Sequence, residues 1–204
     1  MTVTVIDYGL GNVAAFLEIY KRNDVPARRA AKAAELEGAT KLILPGVGAF
    51  DHAMTLLDRS GMRGRVDEMV GAGTPVLGVC VGMQIMAGGS EEGTLPGLGW
   101  VDAHVRKLGV ANTNRPLPCP HMGWNNVYQT QSGGLFDGLD HGTRFYFLHS
   151  YYVECRDPED VIATCSYGQD FSCGFRRGNV YGVQFHPEKG HDWGTRLLLN
   201  YARA

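Results

Sequence analysis

The stretch Pro75-Val76-Leu77-Gly78-Val79-Cys80-Val81-Gly82-Met83-Gln84 constrains this chain more than any other. A short apolar run ends in a cysteine held between two glycines, and apolar Ile85 and Met86 follow. Gly-x-Cys-x-Gly after a strand over Val76 to Val79 predicts strand, sharp turn and helix, the cysteine version of a nucleophile elbow. Glycines at 78 and 82 tolerate a strained backbone at Cys80 and a close strand-helix approach. At a helix start the unpaired N–H groups favour the thiolate, which makes Cys80 a candidate nucleophile. Most free cysteines are simply small buried hydrophobes, so the rest of the chain has to decide between the two.

An elbow needs a parallel sheet around it, and the first ~90 residues supply the alternation that builds one. Val3 to Ile6 has the β-branched pattern of a strand buried on both faces and leads through Asp7-Tyr8-Gly9-Leu10-Gly11-Asn12 into a helix over Val13 to Arg22. A second strand is expected at Val25 to Arg28, a short helix at Ala30 to Leu36, and a third strand at Lys41 to Leu44, closed by Pro45-Gly46-Val47-Gly48-Ala49-Phe50. Met54 to Val70 is broadly helical with breaks near Gly61 and Gly64. The 7–12 loop has too few glycines for a dinucleotide fingerprint, and no acidic residue follows at the required spacing, which rejects a Rossmann cofactor site.

Beyond Gly88 the pattern changes. A glycine-rich acidic stretch precedes a half-exposed strand at Trp100 to Leu108, a proline-containing loop at Asn112 to Pro120, and strand-like Met122 to Tyr128. Arg144 to Val153 predicts an aromatic strand pair or hairpin. Val161 to Tyr167, Ser172 to Arg176 and Val180 to Gln184 add short strands, and a helix over Trp193 to Tyr201 comes last. The expected fold class is α/β, a doubly wound, mostly parallel sheet with added antiparallel strands in the second half, in one domain over 1–204.

Composition narrows the function classes. A formal net charge of −2 without a basic run gives no electrostatic footprint for nucleic acid. Met1 to Asp7 has no basic leader region, and no apolar stretch approaches the ~20 residues of a membrane span, so the expected setting is cytoplasmic with no membrane partner. Five cysteines without a C-x-x-C suggest neither a disulfide framework nor a zinc site.

A thiolate that attacks a carbonyl needs a base near neutral pKa and a carboxylate to fix the imidazole tautomer. The strand Val180 to Phe185 delivers His186-Pro187-Glu188 at its end, and on an extended segment the two side chains would point the same way. A structural histidine is the commoner reading of such a residue. A metal held by His186, Glu188 and His191 matches no common spacing, so no metal and no cofactor is expected.

Together, Cys80 in Gly-Val-Cys-Val-Gly-Met-Gln and His186 with Glu188 in His-Pro-Glu-Lys resemble the triad of the class I glutamine amidotransferases. Ile6 to Asn12, Pro45 to Phe50, Pro120 to Asn125, Phe145 to Tyr152 and Gly182 to Lys189 are similar to segments of the glutaminase subunits of imidazole glycerol phosphate synthase, in order from the first strand to the last helix. Gly190-His191-Asp192 departs from the small polar residues usual there.

The resemblance implies that Cys80 attacks the carboxamide of L-glutamine, that His186 and Glu188 complete the triad, and that the N–H of Val81 with that of Val47 or Gly48 forms the oxyanion hole. It also implies that Gln84 and the backbone at Ser150 and Tyr151 hold the amino-acid moiety. In such a heterodimer ammonia passes to a (β/α)8 cyclase subunit, with Asn12, Trp124, Tyr146 and Lys189 at or near the interface; the weaker alternatives are Trp124 and Tyr146 as core aromatics and Lys189 as a solvated charge. A paralogous amidotransferase that feeds another synthase, for example in surface-sugar modification, shares these features.

Overall fold

The structure, a computed structural model, describes residues 2–109 and 117–204. Its centre is an eight-stranded sheet in the order β2-β1-β3-β4-β13-β12-β11-β8. Here β1 is Val3–Ile6, β2 Ala27–Ala30, β3 Lys41–Gly46, β4 Val76–Cys80, β8 Tyr128–Gln129, β11 Val161–Ser166, β12 Asp170–Arg177 and β13 Val180–Val183. From β2 to β13 all neighbours are parallel, and from β13 to β8 they are antiparallel. Strands β1, β3, β4 and β13 are buried along their whole length, as their continuous apolar runs require for a sheet covered on both faces.

Helices α1 (Val13–Arg22), α2 (Phe50–Arg59), α3 (Arg63–Gly71) and α5 (His191–Arg203) flank the sheet, and α4 is the single turn Val81–Gln84. Helix α1 buries Val13, Phe16 and Tyr20, one stripe at helical spacing, and Asn12 caps it by accepting from Ala15 N at 3.2 Å. Tyr201 on α5 donates its hydroxyl to Leu42 O at 2.6 Å, which pins the last helix to β3.

Two smaller sheets complete the second half. One has the order β10-β6-β5, from Tyr151–Cys155, Ala103–Lys107 and Gly89–Ser90; the other pairs β7 (His121–Asn126) with β9 (Arg144–His149). Among the described residues, no helix is long and apolar enough to cross a membrane.

Several sequence expectations are displaced. The second strand lies at Ala27–Ala30, and the short helix after it is a 3-10 turn, Ala33–Leu36. β3 runs on through Pro45 to Gly46 because a parallel partner, β4, continues the ladder to Cys80. The long helix breaks around Gly61, at φ +70°, while Gly64 sits inside α3 without breaking it. The expected strand from Met122 to Tyr128 divides between two sheets at Val127. Arg144 to Val153 is not a hairpin: β9 and β10 join different sheets, and Ser150 is the corner between them. The final helix begins two residues early, at His191, which takes φ +49°. Residues 112–116 of the predicted loop lie outside the described residues.

This topology gathers the chemistry. Parallel strands β1, β3, β4 and β13 end on the same edge of the sheet, in the crevice where α/β folds bind ligands. Register sets Gly46 opposite Cys80 and Val183 opposite Val79, so the β3 loop flanks Cys80 on one side and the segment leading to His186 on the other.

Candidate active site

Cys80 closes β4 with φ +56° and ψ −116°, a conformation that costs on the order of 1–3 kcal/mol in a non-glycine residue and persists only where the surroundings impose it. The imposing contacts are short. A Cβ on Gly82 would stand 1.9 Å from Leu44 O, and one on Gly46 would stand 2.5 Å from Gly82 N. The elbow therefore presses directly against β3, and only glycine fits at either position. Because α4 is one turn long, the expected helix field at Cys80 reduces to a few local N–H groups, and stabilisation of a thiolate falls mainly to neighbouring side chains.

His186 is the chief of these. It lies three residues beyond β13, and its backbone N–H donates to Tyr146 O at 2.9 Å. Its Nδ1 hydrogen-bonds Glu188 Oε1 at 2.8 Å, and its side chain lines the same cavity as Cys80. Pro187–Lys189 is a 3-10 turn and not the extended segment expected, so the turn brings the carboxylate back to the imidazole. Burial pulls the His186 pKa down, but the neighbouring Cys80 and the hydrogen-bonded Glu188 outweigh it and push it up to about 10. An imidazole so placed is held ready to carry its proton beside the Cys80 sulfur. Gln184 adds a donor to the sulfur, its Nε2 lying 3.7 Å from Cys80 Sγ.

The sulfur opens into a cavity of about 320 Å³ lined by Val47, Gly48, Val81, Gln84, Ser150 and Tyr151. All six were expected around the substrate. Gln84 is buried; its Nε2 donates to Tyr151 O at 3.0 Å and to Gln184 Oε1 at 2.9 Å. Lys189 also lines the cavity and holds Nζ over the Tyr146 ring, 4.9 Å from its centre. Trp124 and Tyr146 meet edge to face at 6.0 Å as cross-strand partners, as do exposed Met122 and Leu148, and Leu148 and exposed Val47 line the cavity. Asn12 is the exposed cap of α1, a helix that packs on the Pro187–Lys189 turn.

Sequence reasoning missed three polar groups. Glu92 brings a carboxylate to the cavity and accepts from Phe50 N, at the start of α2, at 2.9 Å. Its signal was the acidic stretch Glu91-Glu92, which reads on sequence as a solvated turn. Gln184 and His149 were hidden inside strand-like runs. No group of three or more His, Cys, Asp or Glu side chains suited to a metal occurs among the described residues.

The family model "Glutamine amidotransferase class-I" matches residues 4–201. The chain belongs to the class I glutamine amidotransferases. It is 53% identical over 201 residues to the "Imidazole glycerol phosphate synthase subunit HisH" of Bdellovibrio bacteriovorus, covering 98% of each chain. It is 43% identical over 200 residues, again 98% of each, to "Imidazole glycerol phosphate synthase subunit HisH 2" of Pseudomonas aeruginosa. Identity at this level over the full length sets it with the HisH subunits: it is a glutamine amidotransferase subunit, an enzyme of the type its motifs imply. In fold it superposes on a crystal structure of a glutamine amidotransferase with TM-score 0.73 at 23% identity, covering 99% of each chain. The structure of PurLQS from Thermotoga maritima gives TM-score 0.73 at 15% identity, covering 99% and 97%.

Proposed function

We propose that this single domain is the glutaminase subunit of an imidazole glycerol phosphate synthase, working in the cytoplasm as a heterodimer with a cyclase subunit in histidine biosynthesis. The observation that carries the reading is His186, hydrogen-bonded to Glu188, lining the same cavity as Cys80.

In this mechanism the Cys80 thiolate attacks the carboxamide carbon of L-glutamine. The oxygen of the tetrahedral intermediate takes the N–H of Val81 and a second N–H from Val47 or Gly48, where Gly48 at φ +95° gives the loop its reach. Imidazolium His186 protonates the departing nitrogen, releasing ammonia and leaving a thioester. Water then attacks the thioester as His186 takes its proton, and glutamate leaves with the Cys80 thiolate restored. Glu188 keeps the His186 Nδ1–H directed at itself, so Nε2 always faces the sulfur. Gln84 Oε1, the Ser150–Tyr151 backbone and the Glu92 carboxylate are suited to the α-ammonium and α-carboxylate of the substrate.

Ammonia that escaped to bulk water would be protonated and useless as a nucleophile, which favours release into a covered mouth. Asn12, Trp124, Tyr146 and Lys189 are the interface residues of this reading, and exposed Val47 puts the oxyanion loop within a partner's reach. The test is glutamate release by the chain alone, with the cyclase subunit, and with that subunit plus its nucleotide ligand. Release should rise on the order of 10² to 10³ as the oxyanion donors are completed. Equal rates in all three mixtures overturn the synthase reading.

A further inference from the structure

His121 on β7 and His149 on β9 are both buried, face each other across their strand pair, and take no part in the triad. His149 Nδ1 lies 2.8 Å from Tyr151 O, His149 Nε2 lies 2.9 Å from His121 Nδ1, and His121 Nε2 lies 3.2 Å from Asn125 Nδ2. The proton positions can be assigned from the ends inward. A carbonyl only accepts, so His149 carries its proton on Nδ1 and has a lone pair on Nε2. That lone pair requires His121 to donate from Nδ1, and His121 Nε2 then accepts from the Asn125 amide.

Every ring nitrogen is used once, and neither ring has an acceptor for a second proton. Aromatic rings close the sides: Phe147 and Tyr167 stack on the two faces of His121 at 4.7 and 4.0 Å, and Phe171 leans on His149 at 5.2 Å. Burial pulls His149 down to about 3 and His121 to about 4, in line with two rings that stay neutral.

The far end of this chain of hydrogen bonds reaches the cavity. Tyr151 O accepts from His149 and also from Gln84 Nε2, and the second hydrogen of that amide goes to Gln184 Oε1. Both Gln84 donors are thus held inward, leaving Oε1 as the acceptor the amide presents to a ligand. We propose that His121 and His149 are positioning residues for glutamine: a neutral pair, both protonated at Nδ1, that fixes the Ser150–Tyr151 corner and thereby the orientation of the Gln84 amide. The inference rests on the glutaminase reading above. It predicts an effect on binding more than on chemistry, because the network meets Cys80 only through Gln184 Nε2, 3.7 Å from Sγ, while the hydrogen bond of His186 Nδ1 goes to Glu188.

Two measurements test it. In the full chain labelled with 15N-histidine, long-range proton-nitrogen spectra between pH 5.5 and 8 should show both rings neutral with the proton on Nδ1, assigned by substituting each in turn. A proton on Nε2 of either ring, or titration within that range, overturns the proposal. In the glutaminase assay with the synthase partner, His149→Phe should raise the KM for glutamine tenfold or more while kcat falls less than threefold. His149→Asn, whose amide offers a donor near the Nδ1 position, should recover most of the loss. Alkylation of Cys80 by iodoacetamide, which needs no glutamine contact, should keep its rate in both variants. An unchanged KM in His149→Phe, or a kcat and an alkylation rate that fall together, contradicts the proposal. If the variants do not fold, the tautomers of the unmodified chain decide. A chain without glutaminase activity under any condition removes the function proposed above, while the spectra still report on the pair.

Discussion

Replacing Glu188 by Gln isolates what the carboxylate contributes to the triad. His186 Nδ1 and Glu188 Oε1 are 2.8 Å apart and both side chains are 4% exposed, so solvent screening is weak. Charge centres ~4 Å apart at an effective dielectric near 20 attract by about 4 kcal/mol, and a neutral hydrogen bond in the same place is worth about 1 kcal/mol. The difference, about 3 kcal/mol, is stabilisation of the imidazolium, and it corresponds to a loss on the order of 10² in kcat/KM. Glutamine has a second consequence here. Glu188 Oε2 is buried without a partner among the described residues, so an amide nitrogen at that position has nothing to donate to. With its oxygen on Nδ1 the variant keeps the tautomer but buries an orphan N–H, costing about 1–3 kcal/mol of stability. A flipped amide would instead donate to Nδ1, move the imidazole proton to Nε2 and remove the base, so 10² is the smallest loss expected. Initial rates of glutamate release and urea unfolding of Glu188→Gln, set beside Cys80→Ala, measure both effects. A kcat/KM within fivefold of the unmodified chain, or a loss as complete as that of Cys80→Ala, refutes the reasoning.

A glutamine-shaped electrophile such as a diazo-ketone analogue should acylate or alkylate Cys80 alone. Burial pushes the thiols of Cys155 and Cys165 up to about 12 and holds that of Cys173 well above its ordinary range, and Cys119 is exposed outside the cavity that Cys80 lines; peptide mapping that finds the label on any of those four counts against Cys80 as nucleophile. Acid should destabilise the fold through His121 and His149. Their folded pKa values lie below the ordinary 6.5, so between about pH 4 and 6.5 the unfolded chain binds protons that the folded chain refuses, and stability falls with pH at up to ~1.4 kcal/mol per unit for each ring. Urea midpoints at pH 7, 5.5 and 4.5 should fall more steeply for the unmodified chain than for a His121→Phe/His149→Phe variant, and parallel slopes would contradict this. Lys41→Met should cost about 1–3 kcal/mol, because Nζ donates to Tyr201 O at 3.0 Å and to Ala204 O, satisfying carbonyls of the last turn of α5; an unchanged thermal midpoint would show that water replaces the amine.

The elements that read correctly from sequence are those whose environment is uniform. Val3–Ile6 and Val76–Cys80 are buried on both faces, so continuous apolar runs announced them, and Val13–Arg22 carries an apolar stripe at helical spacing ended by Asn23. The triad was legible for a related reason: an elbow and a strand-end histidine are local patterns, and parallel strands end on the same edge whatever their order in the sheet. The sequence by itself therefore determined the α/β class and the candidate site residues Cys80, His186 and Glu188 that the fold brings to one edge.

Tertiary structure decided the rest, where a residue's role depends on what packs against it from elsewhere. Arg144 to Val153 has one aromatic pattern, yet β9 and β10 part at Ser150 because β7 and β6 offer separate edges to pair with. Pro187–Lys189 turns because Glu188 reaches back to His186, which no spacing rule distinguishes from an extended run. Glu92, Gln184, His121 and His149 owe their partners to contacts made 28 to 104 residues away in sequence, and side-chain type alone does not encode a partner at that distance. Local pattern fixes which face a residue turns to the core; only the packed molecule fixes which polar atom it meets there.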